Sequence, residues 1–135
     1  MGYHVVDPEA LTPTPDRPSD RRDVAEVAGL GTLAAAVFTV APGEQLPTTY
    51  HYHEHREELF YVLEGVLYVE TPDGEYRVPV DRLFVAEPES PHRAFNPADA
   101  DGPVRVLMVG STPFDVARPY EPGDDGRSVG HDGEA

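Results

Sequence analysis

The stretch TTYHYHEHREELFYVLEG, residues 48–65, places three histidines within five positions and follows them with two glutamates and an apolar run. On an extended strand His51, His53 and His55 would point to one face, because strand side chains alternate. Three imidazoles on one face are either an exposed polar edge or the beginning of a metal site. The rest of the chain must distinguish these two alternatives.

A carboxylate and a further histidine are available to complete such a site. If the chain turns through EHRE, an antiparallel strand returns beside the first, and Glu58, or alternatively Glu57, faces the histidines. Further along, SPHRAFN places His92 directly after a proline, where a tight turn can direct one imidazole inward. Three nitrogens and one oxygen suit Fe, Mn, Ni, Co or Zn and leave coordination positions open. The alternative is a metal-free, exposed strand edge.

Length and composition favour a single small β-rich domain. The chain has 135 residues, of which 39% are hydrophobic, and it contains no cysteine. Disulfides, thiolate zinc sites and a cysteine nucleophile are therefore excluded, so a metal must be held by His, Asp and Glu. No apolar run approaches the roughly 20 residues of a membrane span. The first residues lack the basic and apolar segments of a signal peptide, so we expect a cytoplasmic protein.

The charge of the chain is strongly negative. There are 25 acidic residues against ten basic ones, all of them arginine, and the formal net charge is −15. This charge argues against nucleic acid or an anionic membrane as a partner. It also costs stability through self-repulsion that molar salt screens. We therefore expect a halophilic protein whose acidic surface serves mainly solvation.

The pattern from residue 33 onward indicates short antiparallel strands. Runs of β-branched and aromatic residues alternate with turns rich in Pro, Gly and Asp, which is typical of a sandwich or barrel. Asp73 and Gly74 suit a two-residue hairpin turn. Phe60, Val62 and Leu107 are predicted to face the inside of this fold.

Two segments resemble the conserved motifs of the cupin superfamily. PGEQLPTTYHYHEHREELFYVLEG resembles the first motif, in which Gly precedes His-x-His, a few residues, Glu, six residues and Gly. His51, His53, Glu58 and Gly65 meet this spacing, and Gly43 matches the leading glycine across a longer gap than is usual.

AEPESPHRAFN resembles the second cupin motif, with His92 and Asn96 at the matching positions. Glu87 and Glu89 stand where Pro and Gly are commoner, and Asp81 replaces another usual glycine. These departures fall at turns and leave the ligand positions intact. The resemblance covers roughly residues 33–110 of the chain, and two motifs in the right order make it specific.

The resemblance implies an all-β, antiparallel jelly-roll barrel of six to eight strands, in a small single-domain protein of the type-2 conserved-barrel kind. One divalent metal would be bound inside by His51, His53, Glu58 and His92. Cupins are often homodimers that act on or bind small molecules. We therefore expect a metal-binding protein for a small oxygenated molecule, as a dioxygenase or an isomerase. The alternative is a non-catalytic binding or sensing protein whose metal only anchors the ligand.

Composition and the pattern of strands divide the chain into three parts. Residues 1–32 form an N-terminal arm, residues 33–112 the barrel, and residues 113–135 a C-terminal tail. Within the arm, residues 23–31 fit either a turn of helix or a short edge strand.

Several further polar residues are candidates for secondary roles. His55 shares the face of the other histidines but breaks the motif spacing, so we expect it at the rim, where it could carry protons. Arg56, Arg82, Arg93 and Arg105 could bind a substrate carboxylate. Arg105 is singled out because a charge inside a strand is less expected. No residue is assigned a catalytic role.

Overall fold

The structure is a computed structural model, which describes residues 2–111 and 117–121. Short strands dominate these residues, together with one 3₁₀ turn, Pro8–Ala10, and one short helix, α1, Val24–Ala28. The strands are β1 Asp20–Asp23, β2 Leu33–Val40, β3 His51–His53, β4 Glu58–Glu64, β5 Leu67–Thr71, β6 Gly74–Val78, β7 Leu83–Ala86, β8 Arg93–Phe95, β9 Val104–Ser111 and β10 Ala117–Pro119.

The strands form three antiparallel sheets with the crossovers of a jelly roll. The largest has the order β1-β2-β9-β4-β7, the second β6-β5-β8, and the third pairs β10 with β3. Every strand pair is antiparallel. The predicted all-β, antiparallel jelly-roll class is confirmed, and the arm and the segment 117–119 each add a strand to it.

The apolar core lies between the five-stranded and three-stranded sheets. Its largest fully buried side chains come from the strands of both sheets and from the residues that flank them; they are Leu67, Val40, Val62, Val69, Val104 and Val106. In β9 the even-numbered residues face this core and the odd-numbered ones do not. The prediction for Phe60 and Val62 is confirmed, whereas that for Leu107 is wrong, because Leu107 shares the outer face of β9 with Arg105.

The N-terminal arm is attached to the large sheet. Its strand β1 pairs with β2. The Arg22 guanidinium pairs with Asp20 and donates to the carbonyl of Leu11 at 2.8 Å, which anchors the preceding loop. The undecided segment 23–31 contains helix α1, which begins after Asp23 and ends at Gly29 with φ of 72°.

The predicted tail, residues 113–135, lies outside the described residues except for 117–121. Within that piece, β10 pairs with β3, and Tyr120 packs against Tyr50 and Tyr52. No helix in the described part of the chain is long and apolar enough to cross a membrane.

The turns explain the unusual residues of the two motifs. Gly65 has φ of 81°, and a Cβ atom there would lie 2.6 Å from the carbonyl oxygen of Pro103, so only glycine fits. Asp81 and Glu89 both have φ of 64°, a left-handed conformation that glycine adopts most easily. These two turns therefore keep a glycine-like backbone without glycine.

Candidate metal centre

The four residues predicted to bind a metal come from three places in the fold. His51 and His53 alternate along β3, Glu58 begins β4, and His92 directly precedes β8, where its backbone forms a bridge to that of His51. All four side chains line one cavity of about 350 Å³. The structure thus brings the four to one cavity from positions up to 41 residues apart. The group of ligand atoms close enough to share an ion contains three of them, His51, Glu58 and His92, and does not include His53.

The distances between these side chains are those of groups that share a site. His92 Nε2 lies 3.1 Å from Glu58 Oε1, and His53 Nε2 lies 3.6 Å from Glu58 Oε2. The His51 ring centroid is 5.0 Å from that of His53 and 5.2 Å from that of His92. One ligand atom each from His51, Glu58 and His92 falls within 4.8 Å of the others. Two ligand atoms about 2.0–2.2 Å from one ion are about 3 Å apart when they occupy adjacent coordination positions. The two distances to the Glu58 oxygens are close to this value.

Backbone carbonyls orient two of the imidazoles. Nδ1 of His51 lies 3.1 Å from the carbonyl oxygen of Thr49, and Nδ1 of His92 lies 2.7 Å from that of Ser90. A carbonyl oxygen can only accept, so each Nδ1 carries the proton and donates. The lone pair of a neutral ring is then on Nε2, and outer hydrogen bonds of this kind fix the tautomer of metal-binding histidines.

The contact between His92 and Glu58 needs a positive charge. Nδ1 of His92 already donates to a carbonyl, so in the neutral ring Nε2 is an acceptor that faces the Glu58 carboxylate at 3.1 Å. Two acceptors at this distance repel each other unless the ring is doubly protonated or a cation bridges them. A divalent metal at this point satisfies both atoms, so the donor set fits such an ion.

Glu58 is held in its charged form. Burial alone would raise the pKa of this carboxyl, but the close contact with His92 and the positive charge of Arg56 outweigh it and lower the pKa below its usual range. Arg56 Nε lies 3.2 Å from Glu58 Oε2. Burial lowers the pKa of His51, although the hydrogen bond to Thr49 opposes this shift. The lowered pKa favours the neutral imidazole, which is the form that binds a metal.

The remaining candidates divide between the cavity and the outside. Of the four arginines singled out in the sequence, Arg56 lines the cavity, while Arg82, Arg93 and Arg105 do not. Arg93 instead donates to Glu70 at 2.7 Å and lies over the Phe95 ring. Glu57, the alternative carboxylate, is exposed, whereas Glu58 is 7% exposed. His55 is also exposed, and it is not part of the group formed by His51, Glu58 and His92.

Asn96, matched to the second motif, supports a loop. Its side chain is 2% exposed, and Nδ2 donates to the carbonyls of Val40 at 3.0 Å and Gly102 at 2.9 Å. These bonds hold the loop before β9 against the end of β2.

Three contributors to the cavity were not identified from the sequence. Arg17 and Arg21 of the arm line it, and Gly110 leaves the space that the Arg56 side chain occupies, since a Cβ there would lie 2.5 Å from Arg56 Nε. Strand alternation in β9 would have predicted that Gly110 faces inward. Nothing in the local sequence of the arm indicates that its arginines reach the cavity.

Comparison with protein families agrees with this architecture. The family model described as Cupin domain matches residues 36–110, which is more than half of the chain. No curated protein sequence matches the chain significantly.

Solved structures share the fold at low sequence identity. A sugar phosphate isomerase of the cupin superfamily from Silicibacter pomeroyi is 21% identical, with 87% of this chain and 82% of that chain covered and a TM-score of 0.74. The polyketide cyclase RemF from Streptomyces resistomycificus is 19% identical, with 96% and 94% covered and a TM-score of 0.74.

A third structure, from Acidithiobacillus ferrooxidans and also assigned as a sugar phosphate isomerase, is 21% identical, with 73% of this chain covered and a TM-score of 0.66. This chain spans 63% of the length of that protein. At these identities the likeness shows the fold.

Proposed function

The chain belongs to the cupin family, and from this premise we propose that it binds one divalent transition metal, Fe, Mn, Ni, Co or Zn, and acts on a small oxygenated molecule as a dioxygenase or an isomerase. The ligands are His51, His53, Glu58 and His92. The observation that carries the proposal is the 3.1 Å contact of His92 Nε2 with Glu58 Oε1, because it brings together two atoms that can both donate a lone pair to one ion.

The chain's own residues give the site its properties. His51 and His92 each keep a proton on Nδ1 and direct Nε2 toward the site, and Glu58 contributes a fixed negative charge. The side chains of Phe60 and Met108 form apolar wall, which lowers the local water content around the ligands. When bound, the metal would supply Lewis acidity or a site for O₂.

The first test is metal stoichiometry, measured by elemental analysis of protein purified in high salt and by calorimetric titration after chelation. We expect one ion per chain. Glu58→Gln, His53→Ala and His92→Ala should each lose the ion, whereas the exposed His55→Ala should retain it. Wild-type protein that binds no transition metal, or a His55→Ala variant that alone loses it, would overturn the proposal. A redox-active metal favours oxygen chemistry, and Zn favours isomerisation.

The second test separates catalysis from support of the fold. The apolar core cluster contains none of the four ligands, so the chelated protein should remain folded and lose only activity or ligand binding. Any ion that binds only the folded chain adds about 2.7 kcal/mol to the free energy of unfolding at a hundredfold excess over its dissociation constant, so some loss of stability on chelation is expected for either role. Chelated protein that is unfolded in native buffer would show that the fold depends on the metal, and it would contradict a purely catalytic role.

Cytoplasmic location, adaptation to high salt, a homodimeric state and the absence of nucleic-acid and membrane partners stay predictions from the sequence. So does the division into an arm, residues 1–32, a barrel, residues 33–112, and a tail.

A further inference from the structure

Three arginines line the cavity that holds the candidate metal ligands. Arg17 and Arg21 come from the N-terminal arm, and Arg56 comes from the loop before β4. Glu58 is the only carboxylate among the described residues that line this cavity. In a chain with 25 acidic and ten basic residues, a cavity with three guanidinium groups and one carboxylate is a local reversal of charge.

Arg17 is compensated less completely than the other two arginines of the cavity. Arg56 faces Glu58 at 3.2 Å. Arg21 donates to Thr14 Oγ1 at 3.0 Å and lies 3.3 Å from Asp23 Oδ2, with its side chain 15% exposed and its Cζ 5.8 Å from the centre of the Phe38 ring. Arg17 is exposed at the edge of the cavity, and it makes no side-chain hydrogen bond or ion pair within residues 2–111 and 117–121.

The neighbouring charges of the arm repel one another. Burial and the positive charge of Arg21 lower the pKa of Arg17, and the charge of Asp23 opposes this only in part. An anion between the two guanidinium groups would relieve this repulsion. Guanidinium groups bind carboxylate and phosphate oxygens through paired hydrogen bonds, so these are the anions that the pair suits.

We propose that Arg17 and Arg21 form a subsite for an oxyanion, a carboxylate or a phosphate, carried by the molecule whose other end reaches the metal ligands. A cavity of about 350 Å³ is within the range for small ligands. Phe38 and Leu46 form apolar wall of this cavity. The assignment of the anion to a substrate rests on the proposed function, whereas the anion site itself does not.

The test uses inorganic phosphate and acetate as separate probes of the full chain. Each is titrated by calorimetry into metal-free protein at fixed ionic strength, so that screening of the −15 charge is constant. We expect at least one probe to bind. Arg17→Gln and Arg21→Gln should each weaken binding about tenfold, which corresponds to about 1.4 kcal/mol. The preferred probe identifies the class of oxyanion.

Two matched variants serve as controls. One tests whether any lost positive charge weakens binding, and the other tests whether a change in the arm alone weakens it. Arg77→Gln removes the same charge from an exposed position on β6, and Thr14→Val removes the hydrogen bond to Arg21 but keeps the cation. Both should bind the probe within about twofold of wild type, because neither removes a cavity guanidinium. Binding of neither probe, or equal weakening by Arg77→Gln or Thr14→Val, would overturn the assignment.

The outcome is distinguishable from failure of the proposed function. Protein that binds a transition metal but neither anion refutes only the arginine subsite. Protein that binds an anion through Arg17 and Arg21 but no metal supports the subsite and refutes only the metal centre.

Discussion

Gly110→Ala should change the electrostatics of the candidate metal centre although no charged residue is substituted. Gly110 lies opposite Glu58 in the pairing of β9 with β4. A Cβ at this position would be 2.5 Å from Arg56 Nε, 2.8 Å from Nη2 and 3.0 Å from Cζ. These atoms belong to the end of a flexible side chain, so Arg56 moves and the backbone stays.

The size of the effect follows from the ion pair that must lengthen. Arg56 Nε now lies 3.2 Å from Glu58 Oε2. A retreat to about 4.2 Å, at an effective dielectric constant of about 20, removes about 1 kcal/mol of attraction. The pKa of Glu58 should therefore rise toward its ordinary value. Alanine restricts the unfolded chain by about 0.4–1 kcal/mol, so the free energy of unfolding at neutral pH should change little.

The assay is a ¹³C NMR titration of the glutamate carboxyls in metal-free protein, combined with urea unfolding at neutral pH. Gly31→Ala is the matched control, because a Cβ at Gly31 would contact nothing within 4 Å. Arg56→Gln should move the Glu58 titration in the same direction as Gly110→Ala. An unchanged Glu58 titration in Gly110→Ala, or a loss of more than about 3 kcal/mol, the scale of a disrupted core, would refute the reasoning.

Four further results are expected. The melting temperature should be markedly higher in molar NaCl than in dilute buffer, because screening relieves repulsion between carboxylates; equal values would contradict the halophilic prediction. In metal-free protein, urea unfolding should show stability falling below about pH 6.5, where the unfolded chain protonates His51 before the folded one does. It should fall again below about pH 4.3, as Glu58, whose folded pKa is lowered, loses its charge; constant stability from pH 7 to 4 would argue against both assignments. Gly65→Ala should destabilise the protein by more than about 1–2 kcal/mol in chemical denaturation, since a left-handed backbone and a contact with Pro103 both oppose a side chain; a neutral result would exclude that turn geometry. Glu89→Gly should raise the melting temperature by relieving a left-handed glutamate, and a lower value would show that its side chain stabilises the turn.

Local periodicity predicted an antiparallel β fold, and the resemblance to the two cupin motifs predicted its jelly-roll class. Alternation places His51 and His53 on one face. The expectation that the next strand pairs with β3 is wrong, because β4 pairs with β7 and β9 in the large sheet, and Glu58 faces the histidines from there. The prediction that Leu107 faces inward is wrong. The charged residue Arg105 lies two positions earlier and therefore on the same face, which indicates that this is the outer face of β9.

Long-range placement could not be predicted from the sequence. Arg17 and Arg21 reach the cavity only because β1 joins the edge of the large sheet, and no local pattern encodes that pairing. The choice of a helix for residues 23–31 was also open, since a five-residue helix is too short for periodicity to identify.

The strand that carries two of the candidate ligands is completed by chain far downstream. Within the described residues, β3 pairs with β10. On its other side it forms the isolated bridge from His51 to His92, and the carbonyl of His53 accepts a hydrogen bond from Glu89 N. Tyr52 is paired with Arg118, 66 residues later in the chain. During synthesis from the N-terminus, His51 and His53 therefore emerge well before the segment that pairs with them. The candidate metal centre can form completely only after residues 117–119 are available, so an ion that arrives earlier would meet an unpaired strand and not a formed cavity.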